Sequence, residues 1–481
     1  MNATPPTGPS GRKEEEVRIS RTHRIYRPMA RAVRLARSAA ATPKALGVTG
    51  VILGFAALIV VGAILLSLPE ARQPGQEWNP LISIFTATSA VCVTGLVVVD
   101  TGTYWSPLGQ GIILGLIQLG GLGVMTASML ILIILRRSIS FRDKFELFET
   151  SKLGRIRSVG GLILVVVGVT LLIELLGAAA LWFRLREYQV NGGLLWNSAF
   201  HAVSAFNNAG FDIMGGNRSL TQYAHDPVFL ATVAVLVIAG GLGVLLLLDL
   251  VWKRSWTSLS LGTKIVLVTS GLLLAVGFLG ILGAESRNPN TIESFSLPDK
   301  VSNAFFQAVT PRTAGFNSLP TNDLKDETQF LTMGLMFVGG ATGSTAGGIK
   351  VNTFAVLALA TLAAIRGYDR TTAYGRRFSH RIVYRALAIA ALSLVALFVG
   401  SIMLMITDGF VFRRTLFETL SALGTVGLTT GITPTLSVAG KITIIVLMFV
   451  GRLGPLTLAY SLGRQPRDPS YAHVQEDIPL G

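Results

Sequence analysis

The sequence predicts an all-α polytopic membrane protein: four consecutive helix–re-entrant loop–helix repeats, eight transmembrane helices in all. Three observations predict it. The composition is too apolar for a soluble surface, with 51% hydrophobic and 14% charged residues, against roughly 25% charged in ordinary soluble domains. Mean hydropathy is +0.58. Eight apolar runs are long enough to cross a bilayer, which takes about 20 helical residues. Inside each successive pair of runs lies a shorter apolar stretch that cannot span.

Residues 1–45 read as a basic cytoplasmic tail with ten Lys and Arg, attracted to anionic lipid. The tail is too long and too charged for a secretory signal peptide. Repeat 1 occupies 46–137, with spans at 46–68 and 107–135. Residues 138–254 hold a basic loop and repeat 2, with spans at 159–183 and 227–252. Repeat 3 is 255–366 (262–284, 329–365), repeat 4 is 367–463 (383–406, 438–462), and 464–481 is a C-terminal tail. The short stretches are 79–91, 193–206, 300–311 and 411–423, rich in Ser, Thr, Ala, Asn and Phe. Their length fits re-entrant segments. Irregular backbone at that depth must line a cavity or be buried in protein.

The net charge of +15 does not point to nucleic acid, because its placement is one-sided. Of 41 Lys and Arg, 28 fall in the two tails and in the loops 136–157, 253–264 and 366–385, and ten fall in the opposite loops. That asymmetry puts both termini in the cytoplasm. A single cysteine, Cys92, and five scattered histidines exclude a disulfide framework and a Cys- or HExxH-based metal site. An enzyme would need an acid–base pair, a nucleophile with a base, or metal ligands in the apolar core. The core offers only isolated Glu174, Lys350 and Arg452.

Each short stretch ends in a glycine: Val93-Thr94-Gly95, Asn208-Ala209-Gly210, Thr313-Ala314-Gly315 and Thr425-Val426-Gly427, spaced 115, 105 and 112 residues apart. A second glycine mark follows 24–30 residues later, at Gly120-Gly121, Gly240-Gly241, Gly339-Gly340 and Gly451-Arg452. Small-residue helix packing would account for any single mark. The matched set reads as one unit repeated four times. A potassium ion sheds water only where rings of carbonyl oxygens replace it, and Thr425-Val426-Gly427 matches the start of the potassium-channel TVGYG filter. The second filter glycine is absent, with Val97, Asp212, Asn317 and Thr429 in its place, so fewer ordered ion sites and weaker rejection of sodium are expected.

These stretches resemble the Trk/Ktr/HKT superfamily of potassium transporters, through TATSAVCVTGL (86–96), FNNAGF (206–211), PRTAGFN (311–317), GGATGSTAGGIK (339–350), ALGTVGLTTG (422–431) and FVGRLGPLTLAYSLG (449–463). The chain is most similar to the KtrB branch of bacterial membrane subunits, since no extra helix pair precedes repeat 1. The resemblance implies a potassium-channel-like arrangement around one central pore in the plasma membrane of a bacterium. It implies a selectivity filter at the twelve residues above, with potassium, and to some degree sodium, as the ion. It also implies a homodimer on a cytosolic ring of nucleotide-binding (RCK-type) regulatory subunits, any nucleotide staying on that partner.

Five glycines in ten residues, Gly339 to Gly348, interrupt the run 329–365. Glycine disfavours helix by roughly 1 kcal/mol relative to alanine, so this helix should break at mid-membrane. The segment carries Thr342, Gly343, Ser344, Thr345, Ala346 and Gly347, with Ile349 where a phosphate loop would need lysine. By resemblance it is a gate beneath the filter. Arg452, at the matched glycine mark of repeat 4, is expected to face the pore and raise an electrostatic barrier, and Lys350 to reach the cytoplasmic cavity. Glu174 is expected to bond pore-loop backbone, Arg312 to brace the loop and Cys92 to pack. The alternative within this class is a sodium-permeable, poorly selective cation pathway.

Overall fold

The computed structural model describes residues 43–136, 159–188 and 192–454. The basic tail, the loop beyond Arg136, the end of the last expected span and the C-terminal tail lie outside them. Repeat 1 comprises α1 (Pro43–Leu66), α2 (Pro80–Cys92) and α3 (Pro107–Arg136). Repeat 2 has α4 (Val159–Leu185), α5 (Leu194–Phe206), α6 (Pro227–Leu242) and α7 (Val244–Lys253). Repeat 3 has α8 (Leu261–Glu285), α9 (Leu297–Val309), α10 (Asp326–Phe337) and α11 (Val351–Ile365). Repeat 4 has α12 (His380–Asp408), α13 (Phe412–Gly424) and α14 (Val438–Leu453). The strands described, Thr372–Ala373 and Arg376–Arg377, pair as a small antiparallel hairpin between α11 and α12.

Among the described residues, α3, α4, α8 and α12 are long and apolar enough to cross a membrane, and α6 with α7 makes a fifth if its bent halves count as one span. On α4, α8 and α12, Leu164, Leu175, Leu279, Phe398 and Ile406 are each more than 60% exposed. Such a surface suits lipid tails, which are as apolar as leucine.

Two interruptions shape the second helices. The expected break in repeat 3 runs between α10 and α11. The run 227–252, expected to be one continuous helix, is not: it bends by 94° between α6 and α7. Gly243 sits at the corner with φ +80, a left-handed geometry open to glycine at no steric cost. By contrast, α3 continues unbroken through Gly120, Gly121 and Gly123.

The repeats share one packing device. On the first helix of each repeat, a Cβ at Gly62, Gly177, Gly277 or Gly400 would lie less than 3.0 Å from a leucine of the second helix: Leu116, Leu236, Leu335 or Leu447, respectively. Each of these leucines stands four residues, one helical turn, before the first glycine of the second mark. The glycines let the first and second helices of each repeat pack closely against each other.

The short helices start and stop on local signals. Asn79 caps α2 by accepting from the Leu81 N–H, with Pro80 at the first helical position, and Ser296 caps α9 by accepting from the Asp299 N–H; both are favoured N-terminal arrangements. At the other end, Val93 and Thr425 turn left-handed and end α2 and α13. The short helices α2, α5 and α13 bury most of their residues, and α9 buries its C-terminal half.

Candidate ion path

The chain leaves each short helix through an alternating backbone. Val93, Asn208, Thr313 and Thr425 have φ between +50 and +71, and two residues on, Gly95, Gly210, Gly315 and Gly427 have φ between +67 and +94. In an ordinary extended strand successive carbonyls point to opposite sides. Placing every second residue in the left-handed region undoes that reversal and turns successive carbonyls to one side. All four leading residues are β-branched or asparagine held at positive φ, costing of order 1–3 kcal/mol each.

The four glycines form a closed ring. A Cβ on Gly95 would come within 3.0 Å of the Ala209 carbonyl oxygen, one on Gly210 of the Ala314 oxygen, one on Gly315 of the Val426 oxygen and one on Gly427 of the Thr94 oxygen. The order runs through repeats 1, 2, 3 and 4 and back to 1. Thus the structure brings together all twelve residues of the four triads, which are buried.

Hydroxyl side chains lock each strand to its own short helix. The Gly95 N–H donates to Ser89 Oγ and the Gly427 N–H to Ser421 Oγ, both at 3.1 Å. In the other two repeats Ser204 Oγ donates to the Phe211 carbonyl at 2.7 Å, and Thr310 Oγ1 donates to that of Phe316. Sequence reasoning missed these four, although a signal was present: a hydroxyl residue five or six positions before each ring glycine.

The second glycine marks lie against the same site. Cβ atoms at Gly120, Gly240 and Gly451 would meet the carbonyl oxygens of Val91, Phe206 and Leu423, each four residues before the ring glycine of its repeat. These glycines therefore seat the second helix on the end of the short one.

The glycine-rich segment 339–348 packs against the leading residues of the triads. Thr345 Oγ1 donates to Asn208 Oδ1 at 2.9 Å, and a Cβ on Gly347 would strike Thr425 Oγ1. Backbone bonds hold the segment to repeat 2: Ala341 N–H to the Gly241 oxygen at 2.9 Å and Thr345 N–H to the Gly240 oxygen at 3.3 Å. Gly339 N–H bonds the Ile349 oxygen, closing the segment's own base. Thr342 bonds Asn352, and Ser344 Oγ donates back to the Ala341 oxygen.

The buried charges differ in detail from expectation. Arg452 is 5% exposed. Its Nη1 donates to the Thr345 carbonyl and its Nη2 to that of Gly120, at 3.1 Å for the second. The guanidinium thus ties the segment to repeats 1 and 4, rather than standing as an unpartnered charge. Lys350 folds back, its Nζ donating to the Ala346 carbonyl. Arg312 Nη2 donates to Ser270 Oγ at 3.0 Å and to the Gly339 carbonyl at 3.4 Å. Glu174 bonds side chains, not backbone: Asn207 Nδ2 at 2.8 Å and Gln118 Nε2 at 3.0 Å. Cys92 packs in an apolar cluster with Phe85, Leu96 and Met448. Outside the spanning helices, past the ring, burial and nearby Asp100 push the Asp212 carboxyl up to about 7. No cluster of His, Cys, Asp and Glu fit to hold a metal occurs among the described residues.

The sequence profile of the TrkH family, described as "Cation transport protein", matches residues 45–470. The chain belongs to this family. Its members are transporters, not enzymes. The chain is 42% identical over 413 residues to the Ktr system potassium uptake protein B of Bacillus subtilis, covering 86% of this chain and 92% of that one. It is 38% identical to the potassium/sodium uptake protein NtpJ of Enterococcus hirae, covering 89% and 96%. The fold matches the crystal structure of the potassium transporter TrkH from Vibrio parahaemolyticus with a TM-score of 0.71 at 20% identity, over 87% of this chain and 84% of that one.

Proposed function

We propose that this family member takes up potassium across the plasma membrane of a bacterium, with the four triads 93–95, 208–210, 313–315 and 425–427 as the selectivity filter. The closed ring of glycines carries the reading. Rings of backbone carbonyls replace the hydration shell of potassium, and the alternating left-handed residues present them. The potassium uptake named for the relatives of Bacillus subtilis and Enterococcus hirae supports the choice of ion.

The segment Gly339–Gly348, with Lys350 and Arg452, is the gate in this reading. It packs against the filter and is tied to repeats 1, 2 and 4, so a permeating ion must displace it. The one-sided basic loops put both termini in the cytoplasm, where a homodimer would meet a nucleotide-binding regulatory ring. Transport of sodium together with potassium is the second reading. It is favoured by the name of the Enterococcus hirae relative and by the missing second filter glycine.

The test is potassium uptake in a bacterial strain lacking its own uptake systems. The chain should restore growth at low potassium, and Gly315→Ser should weaken apparent potassium affinity or let sodium compete better. Unchanged affinity and selectivity in well-expressed Gly315→Ser protein would sink the filter assignment.

A further inference from the structure

We propose that Glu418 is a positioning residue for ion discrimination: through Thr429 and Thr433 its side chain clasps the outer end of the repeat 4 filter strand. The proposal rests on reading Thr425–Gly427 as a filter strand. Glu418 lies in α13 with no exposed surface. Its carboxyl oxygens meet two hydroxyls: Oε2 is 2.8 Å from Thr429 Oγ1, and Oε1 contacts Thr433 Oγ1. The two hydroxyls are themselves 2.9 Å apart, and the Gly431 N–H donates to Thr429 Oγ1 at 3.0 Å.

The hydrogen count gives the clasp its chemistry. Three oxygen–oxygen contacts close a triangle, but two threonines supply only two hydroxyl hydrogens. A carboxylic acid supplies the third. Thr429 then donates to Oε2, Thr433 donates to Thr429, and the O–H on Oε1 donates to Thr433. An ionised carboxylate would leave the threonine contact without a hydrogen and would bury a charge with no cation against it, which costs far more than burying a hydrogen-bonded neutral group.

Thr429 stands two residues past Gly427, where a second filter glycine would have set the backbone by its own conformation. The side-chain clasp does that work instead. Repeat 4 alone has it, since the position nine before the ring glycine is Thr86, His201 and Phe306 in the other repeats.

The test measures potassium uptake against rising sodium, in the uptake-deficient strain, at matched membrane expression. Glu418→Gln keeps the cycle, because its amide N–H donates to one threonine and its C=O accepts from the other, so its potassium preference should stay within about two-fold. Glu418→Ala and Thr429→Val should each lower that preference by roughly five-fold, the scale of one neutral hydrogen bond. If Glu418→Ala fails to reach the membrane, Thr429→Val decides. A Gln variant as impaired as the Ala variant, or an unchanged preference in Thr429→Val, overturns the clasp. Gly315→Ser in the same assay separates the two readings: if it too leaves preference unchanged, the filter assignment has failed rather than the clasp alone.

Discussion

Glycine performs three separate tasks in repeats 1, 2 and 4, and neighbouring glycines can differ completely in tolerance. Gly240 and Gly241 show the contrast. A Cβ on Gly240 would enter the Phe206 backbone carbonyl, whereas one on Gly241 would sit 3.6 Å from Asn208 Nδ2, an ordinary contact. Gly240→Ala should therefore destabilise the protein by roughly 1–3 kcal/mol, the cost of forcing extra volume into a packed site. Gly241→Ala should be neutral or slightly stabilising, because alanine favours helix by about 1 kcal/mol over glycine. Thermal unfolding in detergent would check both; equal losses would mean that the seat on Phe206 is not rigid. The ring and mark glycines were legible in the sequence because they recur at matched offsets. Gly62, Gly177, Gly277 and Gly400 were not, since a lone glycine in an apolar helix carries no sign of the leucine that will fill its place.

At the scale of elements, one matched mark has four outcomes. The helix runs on in repeat 1, turns through 94° in repeat 2, breaks into the 339–348 segment in repeat 3, and in repeat 4 places Arg452 one residue before the helix ends at Leu453. The repeat 3 break was readable from glycine density. The repeat 2 bend was not, because Gly240–Gly243 and the unbroken Gly120–Gly123 have the same sequence, Gly-Gly-Leu-Gly. The segment is also better anchored than its glycine content implies, through Arg452, Thr345 and the backbone of repeat 2. Charge-assisted bonds such as those of Arg452 contribute roughly 1.5–3 kcal/mol each. Arg452→Ala, and separately deletion of several residues between Ala341 and Gly347, should raise the maximal potassium uptake rate several-fold and leave the potassium preference unchanged. If both variants reach the membrane and neither is faster, the gate lies elsewhere.

At the scale of the molecule, the surface divides by solvent. The outer helices offer leucine, phenylalanine and isoleucine to lipid, and the loop 366–385 carries six basic residues on the side expected to face the cytoplasm. Anionic headgroups attract such charge, and a soluble regulatory ring would engage it as well. Mild-detergent purification of the tagged chain, coexpressed with candidate regulatory subunits, should yield two copies of the chain bound to the soluble partner. Recovery of the chain alone across all candidates would leave lipid as the ligand of these loops.

The sequence by itself determined the class, the fourfold repeat, the positions of the short helices within a few residues and the triads at their ends. Each of these is written in local composition or in periodic spacing: uncharged length specifies a span, and a recurring glycine specifies a turn. Only the tertiary structure decided the partners. It closed the four strands into a ring with each glycine against the carbonyl of the next repeat, set Thr345 against Asn208, and gave Arg452 and Glu418 their hydrogen bonds. Those contacts join residues a hundred or more positions apart, or depend on which way a buried side chain turns. Spacing along the chain carries no information about either until the helices have packed.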